Sequence, residues 1–344
     1  LIMLNARWIL SHLGQDPQLA RDAGVFVSML AIGLPFALGY QALRSFTAAL
    51  GKPAAALWVM LAAIGVNGLL GWSLIFGHFG LPALGLLGSG LATAVSAVFE
   101  FVAMVVVIWL TPSLRAYRIF RRAHRPVPVR VKELIRLGMP ISMTMIFEAM
   151  LFNTMTLIMG TFGAVAVAAH QIALNFASIT FMVPLGIGMA STVRVGLAAG
   201  RDDMPAARRA GITAMVLAVG FISVVAVAMV LFGPQIAALY LGHGRAGDDQ
   251  VVIFATQFLM IAAAFQVFDA LQVVGAQALR GLKDARMPMI LAGVSYWLVG
   301  APVCILLGVV LKMQGLGIWI GLAVGLAVAA LLMVARFARI TRAG

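Results

Sequence analysis

The sequence predicts an all-α integral membrane protein with two pseudo-symmetric, parallel helical lobes. Of 344 residues, 63% are hydrophobic and 10% are charged, whereas about a quarter of the residues in soluble domains are charged. Many continuous apolar stretches have the roughly 20 residues that cross a hydrocarbon core of about 30 Å. Because these stretches do not alternate with polar residues, helices rather than a barrel must satisfy their backbone hydrogen bonds. A repeat of short sequence motifs along the chain predicts the two lobes.

Nine full spans are predicted from the apolar runs. The polar or proline-containing stretches between them mark their ends. A tenth, partial segment is predicted over residues 1–13. The full spans are residues 24–43, 54–76, 84–110, 137–159, 163–190, 210–232, 251–279, 289–311 and 315–335.

Most of the positively charged residues lie in loops on one side of the membrane. The chain carries a net charge of +13, which by itself would also suit a nucleic-acid-binding protein. However, 20 of the 24 Lys and Arg residues fall on that one side, and the exceptions are Arg7, Arg21, Arg245 and Lys312. The positive-inside rule accounts for this pattern without nucleic acid. It predicts a multi-pass protein of the inner (plasma) membrane with a cytoplasmic C-terminus.

A repeat relates the two ends of the chain. The motif QALR at 41–44 recurs at 277–280, an offset of 236, and both copies end a predicted span on the basic side. Further on, LGLLGSGLATAVSAV (84–98) resembles GLGIWIGLAVGLAVA (315–329), with an offset near 232. This ordered succession implies two lobes related by an axis along the membrane normal.

The longest polar stretch separates the lobes. We predict a partial N-terminal lobe over residues 1–112, a basic cytoplasmic linker over 113–132 and a six-helix lobe over 133–344. At the end of the polar stretch 111–138, VKELIRLG (131–138) is a candidate amphipathic helix on the membrane surface. The basic stretch is interpreted as a linker, and a regulatory lipid-binding role is the alternative. By the repeat, about 100 further residues holding two spans and most of a third are expected in a complete protein of 12 spans.

Three carboxylates lie inside predicted spans. An ionisable group at bilayer depth costs about 2.5–3.5 kcal/mol, so such residues usually belong to ion or substrate pathways. Glu148 and Asp269 form the candidate cation site because their hard oxygen ligands suit Na⁺, and they can also carry a proton. Glu100 either faces the substrate cavity or pairs with a polar neighbour. His170 is interpreted as a packing or interfacial residue, since no second His or Cys completes a metal site with it.

Other candidate cavity residues are amides and aromatics at bilayer depth. Gln171 and Asn175 are four residues apart and therefore share a helix face. Together with Asn153 they either line the cavity or form hydrogen bonds between helices. Phe181 and Phe265 are the aromatic candidates because aromatic faces attract cations.

Three segments resemble the multidrug and toxic compound extrusion (MATE) family. They are ALRSFTAALGKP (42–53), AVAAHQIALNFASITFMVPLGIGMASTVRVGLAAG (166–200) and GAQALRGLKDARMP (275–288). The resemblance implies a secondary transporter, not an enzyme, that exports organic cations or other drugs in exchange for Na⁺ or H⁺. It implies no resident cofactor. The expected partners are the drugs, the coupling ion and the lipid bilayer, and the expected state is a monomer.

The NorM-like branch of this family carries a Glu on the first helix of the C-terminal lobe and an Asp on the fourth. Glu148 and Asp269 match these positions. Gln171 and Phe181 resemble cavity-lining positions of the second helix, and Phe265 stands one turn before Asp269, where an aromatic residue occurs near the ion site. The resemblance places the family's aspartate on the first helix of the N-terminal lobe within the region expected before residue 1, so no proton-linked role is assigned to it.

Other functions remain open from the sequence. A lipid-linked oligosaccharide flippase of the same superfamily would have a cationic cavity, whereas the intramembrane charges here are acidic. A non-transporting membrane protein would bind ligand without ion-coupled flux. An integral-membrane enzyme would need a cluster of catalytic side chains near one interface, but the five histidines are scattered along the chain.

Overall fold

A computed structural model describes residues 5, 8, 17–80, 82–117, 119, 127–241 and 248–342 of the chain. Of residues 17, 19, 20 and 248 it describes the backbone alone. The described residues include nine helices long and apolar enough to cross a membrane, which confirms the nine predicted full spans. Except for residues 5 and 8, the partial span predicted over 1–13 lies outside the described residues, as do residues 118 and 120–126 of the predicted linker. The chain divides into two compact units, residues 1–126 and 127–344.

The N-terminal unit is a small bundle in which α1 and α2 both pack against α3. Its core is small and contains the buried side chains of Tyr40, Val59, Met104 and Ile108. Gly77 ends α2 in the left-handed conformation (φ 76°), which glycine adopts without steric cost. The helices are α1 Pro17–Ala49, α2 Ala54–Phe76, α3 Gly85–Leu110 and the short α4 Pro112–Arg115.

The C-terminal unit is built around α9, which contacts α6, α7, α8 and α11. In the most apolar windows of α9 and α11, 44% and 50% of the residues are buried, against 17–33% in the other spans. These two helices therefore form the centre of the unit. The helices are α5 Pro128–Gly160, α6 Ala164–Ala199, α7 Met204–Leu231, α8 Gly233–Leu239, α9 Asp248–Gly281, α10 Arg286–Val310 and α11 Gln314–Arg342.

The segment 131–138 is helical, as predicted. It belongs to the first turns of the continuous helix α5, which begins at Pro128. Proline is well suited to a first helical position because its missing N–H would have no intrahelical partner there. Inside α5, Pro140 does not end the helix, and the Thr144 hydroxyl donates to the Pro140 carbonyl at 2.9 Å.

Repeat-related helix pairs use glycine in the same way in both units. A Cβ on Gly88 of α3 would lie 2.5 Å from the Leu74 carbonyl oxygen of α2. A Cβ on Gly321 of α11 would lie 2.5 Å from the Cys304 backbone nitrogen of α10. Each glycine therefore lets one helix backbone approach the other directly, which is the mode of close packing that small residues permit in membranes.

Candidate cation site

Asp269 lies deep in the apolar helix α9 and is nearly fully buried. It precedes the end of α9 at Gly281 by 12 residues, or about 18 Å along the axis. Its side chain is 7% exposed, and Oδ1 has no hydrogen-bond partner among the described residues. A buried polar atom without a partner is costly. Asp269 Oδ1 is therefore placed to accept a ligand that the described part of the chain does not supply.

Glu148 of α5 is the second carboxylate at this site. Its half-buried side chain interacts electrostatically with Asp269, with Arg280 and with the Tyr296 hydroxyl. The preceding residue, Phe147, lies against Gly293 of α10, where a Cβ would be 3.2 Å from its ring. This close approach brings α5 and α10 together beside the acid on α9.

Tyr296 contributes a hydroxyl from an irregular part of α10. This helix contains two π-helical turns, Val294–Gly300 and Leu306–Val310, and Tyr296 lies in the first. Tyr296 is fully buried, and among the described residues its hydroxyl has no hydrogen-bond partner. The neighbouring Ser295 Oγ and Trp297 Nε1 are also buried without a partner there. Such turns are rare and often occur at functional sites.

Arg280 supplies the positive charge near the two acids. Its Nη1 donates to Gln277 Oε1 at 3.3 Å. The Thr192 hydroxyl of α6 donates to the Gln277 backbone oxygen at 2.8 Å, which ties this end of α9 to α6. The second copy of the repeated motif therefore holds an arginine within electrostatic range of Glu148.

Two ionised carboxylates with one guanidinium leave one negative charge uncompensated. In a medium of low dielectric constant this arrangement favours the uptake of one cation or proton. Among the described residues, no three His, Cys, Asp or Glu side chains cluster as possible ligands of a metal ion. A metal cation at this site would therefore need ligands beyond the two carboxylates, and the Tyr296 hydroxyl is one available oxygen.

Phe265 lies one turn before Asp269, as expected, and is buried in an aromatic cluster. Its ring packs edge-on against Phe152 at a centroid distance of 6.0 Å and against Trp319 at 5.6 Å. His170 packs on the same Trp319 at 5.6 Å, and its Nε2 lies 3.1 Å from the Thr156 hydroxyl. These contacts favour the packing interpretation of His170 and fix the part of α9 that precedes Asp269.

The predicted amides lie on exposed faces of α5 and α6. Gln171 and Asn175 are exposed, and neither side chain has a hydrogen-bond partner among the described residues. Asn153 is also exposed, and its Nδ2 donates to the Ala149 carbonyl at 2.7 Å. Asn153 and Gln171 each lie seven residues from the turn that joins α5 to α6, or about 10 Å deep. Phe181 is half-buried further along α6.

Glu100 lies in the N-terminal unit, whereas the acid pair lies in the C-terminal unit. It is half-buried on α3 and interacts electrostatically with Arg44 and Tyr40. The Tyr40 hydroxyl donates to the Ala56 carbonyl oxygen at 3.1 Å. Glu100 therefore has a cation within its own unit.

Comparison with known proteins supports the resemblance seen in the sequence. The family model described as MatE matches residues 1–73 and 140–306. This chain belongs to the MATE family. A probable multidrug resistance protein NorM from Mesorhizobium japonicum is 43% identical over 340 residues, which cover 98% of this chain and 73% of that protein. A protein of the same name from Burkholderia mallei is 40% identical, over 97% of this chain and 71% of its own length.

Solved MATE structures share the fold. The crystal structure of the eukaryotic MATE transporter AtDTX14 superposes with a TM-score of 0.79 at 25% sequence identity, covering 99% of this chain and 76% of that one. A MATE crystal structure in the bent conformation gives a TM-score of 0.85 at 19% identity, covering 99% and 74%. The predicted all-α membrane fold is confirmed.

Sequence reasoning found the two acids of this MATE protein but not their neighbours. Arg280 was visible only as part of the repeated motif and of the basic side of the membrane. The signal for Tyr296 was the run Ser295, Tyr296 and Trp297 inside an otherwise apolar span. A group of polar side chains in such a span suggests a site. That Tyr296 lies near Glu148 and Asp269 becomes apparent only when α5, α9 and α10 are assembled.

Proposed function

We propose that this protein is a secondary antiporter that exports organic cations or other drugs in exchange for Na⁺ or H⁺. The observation that carries the proposal is the pair of the half-buried Glu148 and the buried Asp269, with an Asp269 carboxylate oxygen and the Tyr296 hydroxyl unpartnered among the described residues. Its relatives are named multidrug resistance proteins, which supports drugs as the substrate class. The proposal requires no catalytic residue and no resident cofactor.

Competition for negative charge is the proposed coupling mechanism. With the site empty, Glu148 and Asp269 repel each other across a medium of low dielectric constant, and an organic cation relieves this repulsion. Entry of Na⁺ or H⁺ neutralises the same charge and removes part of the attraction for the drug. A ligand shifts a conformational equilibrium only through different affinities for its states. The coupling ion therefore acts by stabilising the state with weak drug affinity.

The exposed amides Gln171, Asn175 and Asn153 are proposed to line the substrate cavity. A polar side chain without a partner is unfavourable against lipid, so the face of α6 that carries Gln171 and Asn175 requires a wet or protein-covered environment. Phe181 on α6 and Glu100 on α3 are further proposed cavity residues. Phe265, buried against Trp319, is proposed to act from below the cavity surface by positioning Asp269.

The protein is proposed to lie in the inner membrane with its C-terminus in the cytoplasm. This orientation rests on the unequal distribution of Lys and Arg between the two sides. It places the start of α5 and the ends of α6, α9 and α11 in the cytoplasm. A monomer is the proposed functional unit.

The test is gradient-driven transport by the full-length protein in proteoliposomes. A fluorescent organic cation is followed under a Na⁺ gradient alone and under a pH gradient alone. Dye movement under one gradient is expected, and it identifies the coupling ion. Glu148→Gln and Asp269→Asn should abolish the movement, whereas Asp249→Asn, which changes an exposed acid at the start of α9, should not. Movement under neither gradient, with several dyes, would overturn the proposal.

A further inference from the structure

A charged cleft lies at the end of the C-terminal unit opposite the turn that joins α5 to α6. It has a volume of about 220 Å³ and lies where the first turns of α5 meet the turn between α9 and α10. Its charged lining residues are Glu133, Arg136, Lys283, Asp284 and Arg286. The cleft belongs to one compact unit and takes no part in the proposed cation site.

Both carboxylates of the cleft already have cationic partners. Glu133 Oε2 accepts from Arg130 Nη1 at 3.1 Å, and Lys283 Nζ lies 3.9 Å from Glu133 Oε1. Asp284 Oδ2 accepts from Arg336 Nε at 3.1 Å. Neither Arg130 nor Arg336 lines the cleft, so these two arginines offset the charge of the acids without themselves belonging to its lining.

Arg136 and Arg286 remain without an ion-pair partner among the described residues, and both are exposed. Lys283 adds a third cation at the rim, on a turn where its backbone has a φ of 61°. Non-glycine residues rarely adopt this conformation. The cleft therefore presents an excess of positive charge, with one guanidinium group contributed by α5 and one by α10.

Apolar side chains continue from the cleft toward the membrane centre. Met139 follows Arg136 by one turn of α5 and is 60% exposed. Ile290 follows Arg286 by one turn of α10 and is 48% exposed. Residues three or four apart lie on the same helix face. Each arginine therefore has an exposed apolar neighbour one turn deeper in its span.

We propose that this cleft binds the phosphate group of an anionic membrane lipid, held between Arg136 and Arg286, with the acyl chains along Met139 and Ile290. Guanidinium groups match phosphate oxygens in charge and geometry. Basic pockets between membrane helices on the cytoplasmic side suit anionic headgroups. The apolar continuation favours a lipid over free phosphate. The lipid would bridge α5, which carries Glu148, and α10, which carries Tyr296.

The test measures lipid binding to the purified full-length protein by native mass spectrometry. Phosphatidylglycerol and phosphatidylcholine with the same acyl chains are titrated separately, and inorganic phosphate is added as a competitor. We expect phosphatidylglycerol to bind more tightly and 10 mM phosphate not to displace it. The double variant Arg136→Gln, Arg286→Gln should weaken phosphatidylglycerol binding about 25-fold. Arg136→Lys with Arg286→Lys should recover the part of the affinity that depends on charge but not the part that depends on guanidinium geometry.

The matched control is Arg201→Gln with Arg209→Gln, which removes the same charge from two exposed arginines outside the cleft. It should leave the affinity within about twofold, the size expected for surface charges that do not touch the ligand. An equal loss in the control, or no loss in the cleft variant, would overturn the proposal. Displacement by phosphate would assign the cleft to a free anion instead. If the cleft variant fails to fold, the wild-type protein still tests the proposal, because equal binding of the two lipids to it would by itself overturn the proposal.

Discussion

The repeated QALR motif places an arginine near an acid in both units, but the surroundings of the two acids differ. In the N-terminal unit Arg44 interacts with Glu100, and the nearby Tyr40 hydroxyl is engaged by a backbone carbonyl. In the C-terminal unit Arg280 interacts with Glu148, and a second acid, Asp269, lies within electrostatic range. There the hydroxyl of Tyr296 has no partner among the described residues.

This difference separates a compensated acid in the N-terminal unit from the proposed cation site in the C-terminal unit. One acid with one arginine is neutral as a pair, and a hydrogen-bonded tyrosine offers little further affinity. When both are ionised, two acids with one arginine carry an excess negative charge, and the Asp269 and Tyr296 oxygens, unpartnered among the described residues, are the proposed ligands of a cation. The burial of the second acid, more than the presence of an arginine, therefore distinguishes the C-terminal unit.

The largest expected effect is on ion coupling. Asp269→Asn removes the excess charge while preserving the shape of the side chain, so coupled transport should fall at least 100-fold, to the background of empty liposomes. Protein amount and monodispersity are measured in parallel. Transport at more than half of the wild-type rate would show that Asp269 resembles Glu100 in being dispensable.

The glycine contacts should be equivalent in the two units. Gly321→Ala and Gly88→Ala each place a methyl group against a neighbouring helix backbone, so each should cost about 1–3 kcal/mol of stability. Gly220→Ala is the matched control because no atom lies within 4 Å of its new Cβ. Thermal unfolding in detergent compares the three. If only one of the two substitutions at packed glycines lowered the midpoint temperature of unfolding, the equivalence of the repeat-related helix pairs would be contradicted.

Substitutions of the two tyrosines should separate an effect on ion binding from an effect on protein stability. Tyr296→Phe removes a free oxygen from the proposed site and should weaken affinity for the coupling ion about tenfold. Tyr40→Phe removes the hydrogen bond to the Ala56 carbonyl and should cost about 1 kcal/mol of stability with unchanged ion affinity. Ion-dependent dye binding and thermal unfolding are measured for both variants. Equal ion affinities in the two variants would contradict a special role for Tyr296.

The smallest effect is expected at Glu100. Because Arg44 compensates this half-buried acid, Glu100→Gln should change the coupled transport rate by less than about twofold. Its effect on drug selectivity is measured with several dyes, since the residue is also proposed to face the cavity. A loss comparable to that of Asp269→Asn would place a second coupling site in the N-terminal unit.

The sequence was sufficient to predict the spans because hydropathy is a local property. Glu148 and Asp269 were recognised because a charge inside an apolar run is itself a signal. The π-helical turn at Tyr296 leaves no comparable pattern, and its place beside two acids depends on how three distant segments pack. Likewise the amphipathicity of segment 131–138 predicts a helix there, but not its continuity with the following span in α5.

The most direct measurement is binding of a cationic dye to the purified full-length protein, titrated against Na⁺ and against pH. Wild-type affinity should fall as one of these cations occupies the acid pair. Asp269→Asn should bind dye with little dependence on either cation, while Glu100→Gln should keep the wild-type dependence. If Asp269→Asn kept the full cation dependence, the acid pair of the C-terminal unit would not be the coupling site.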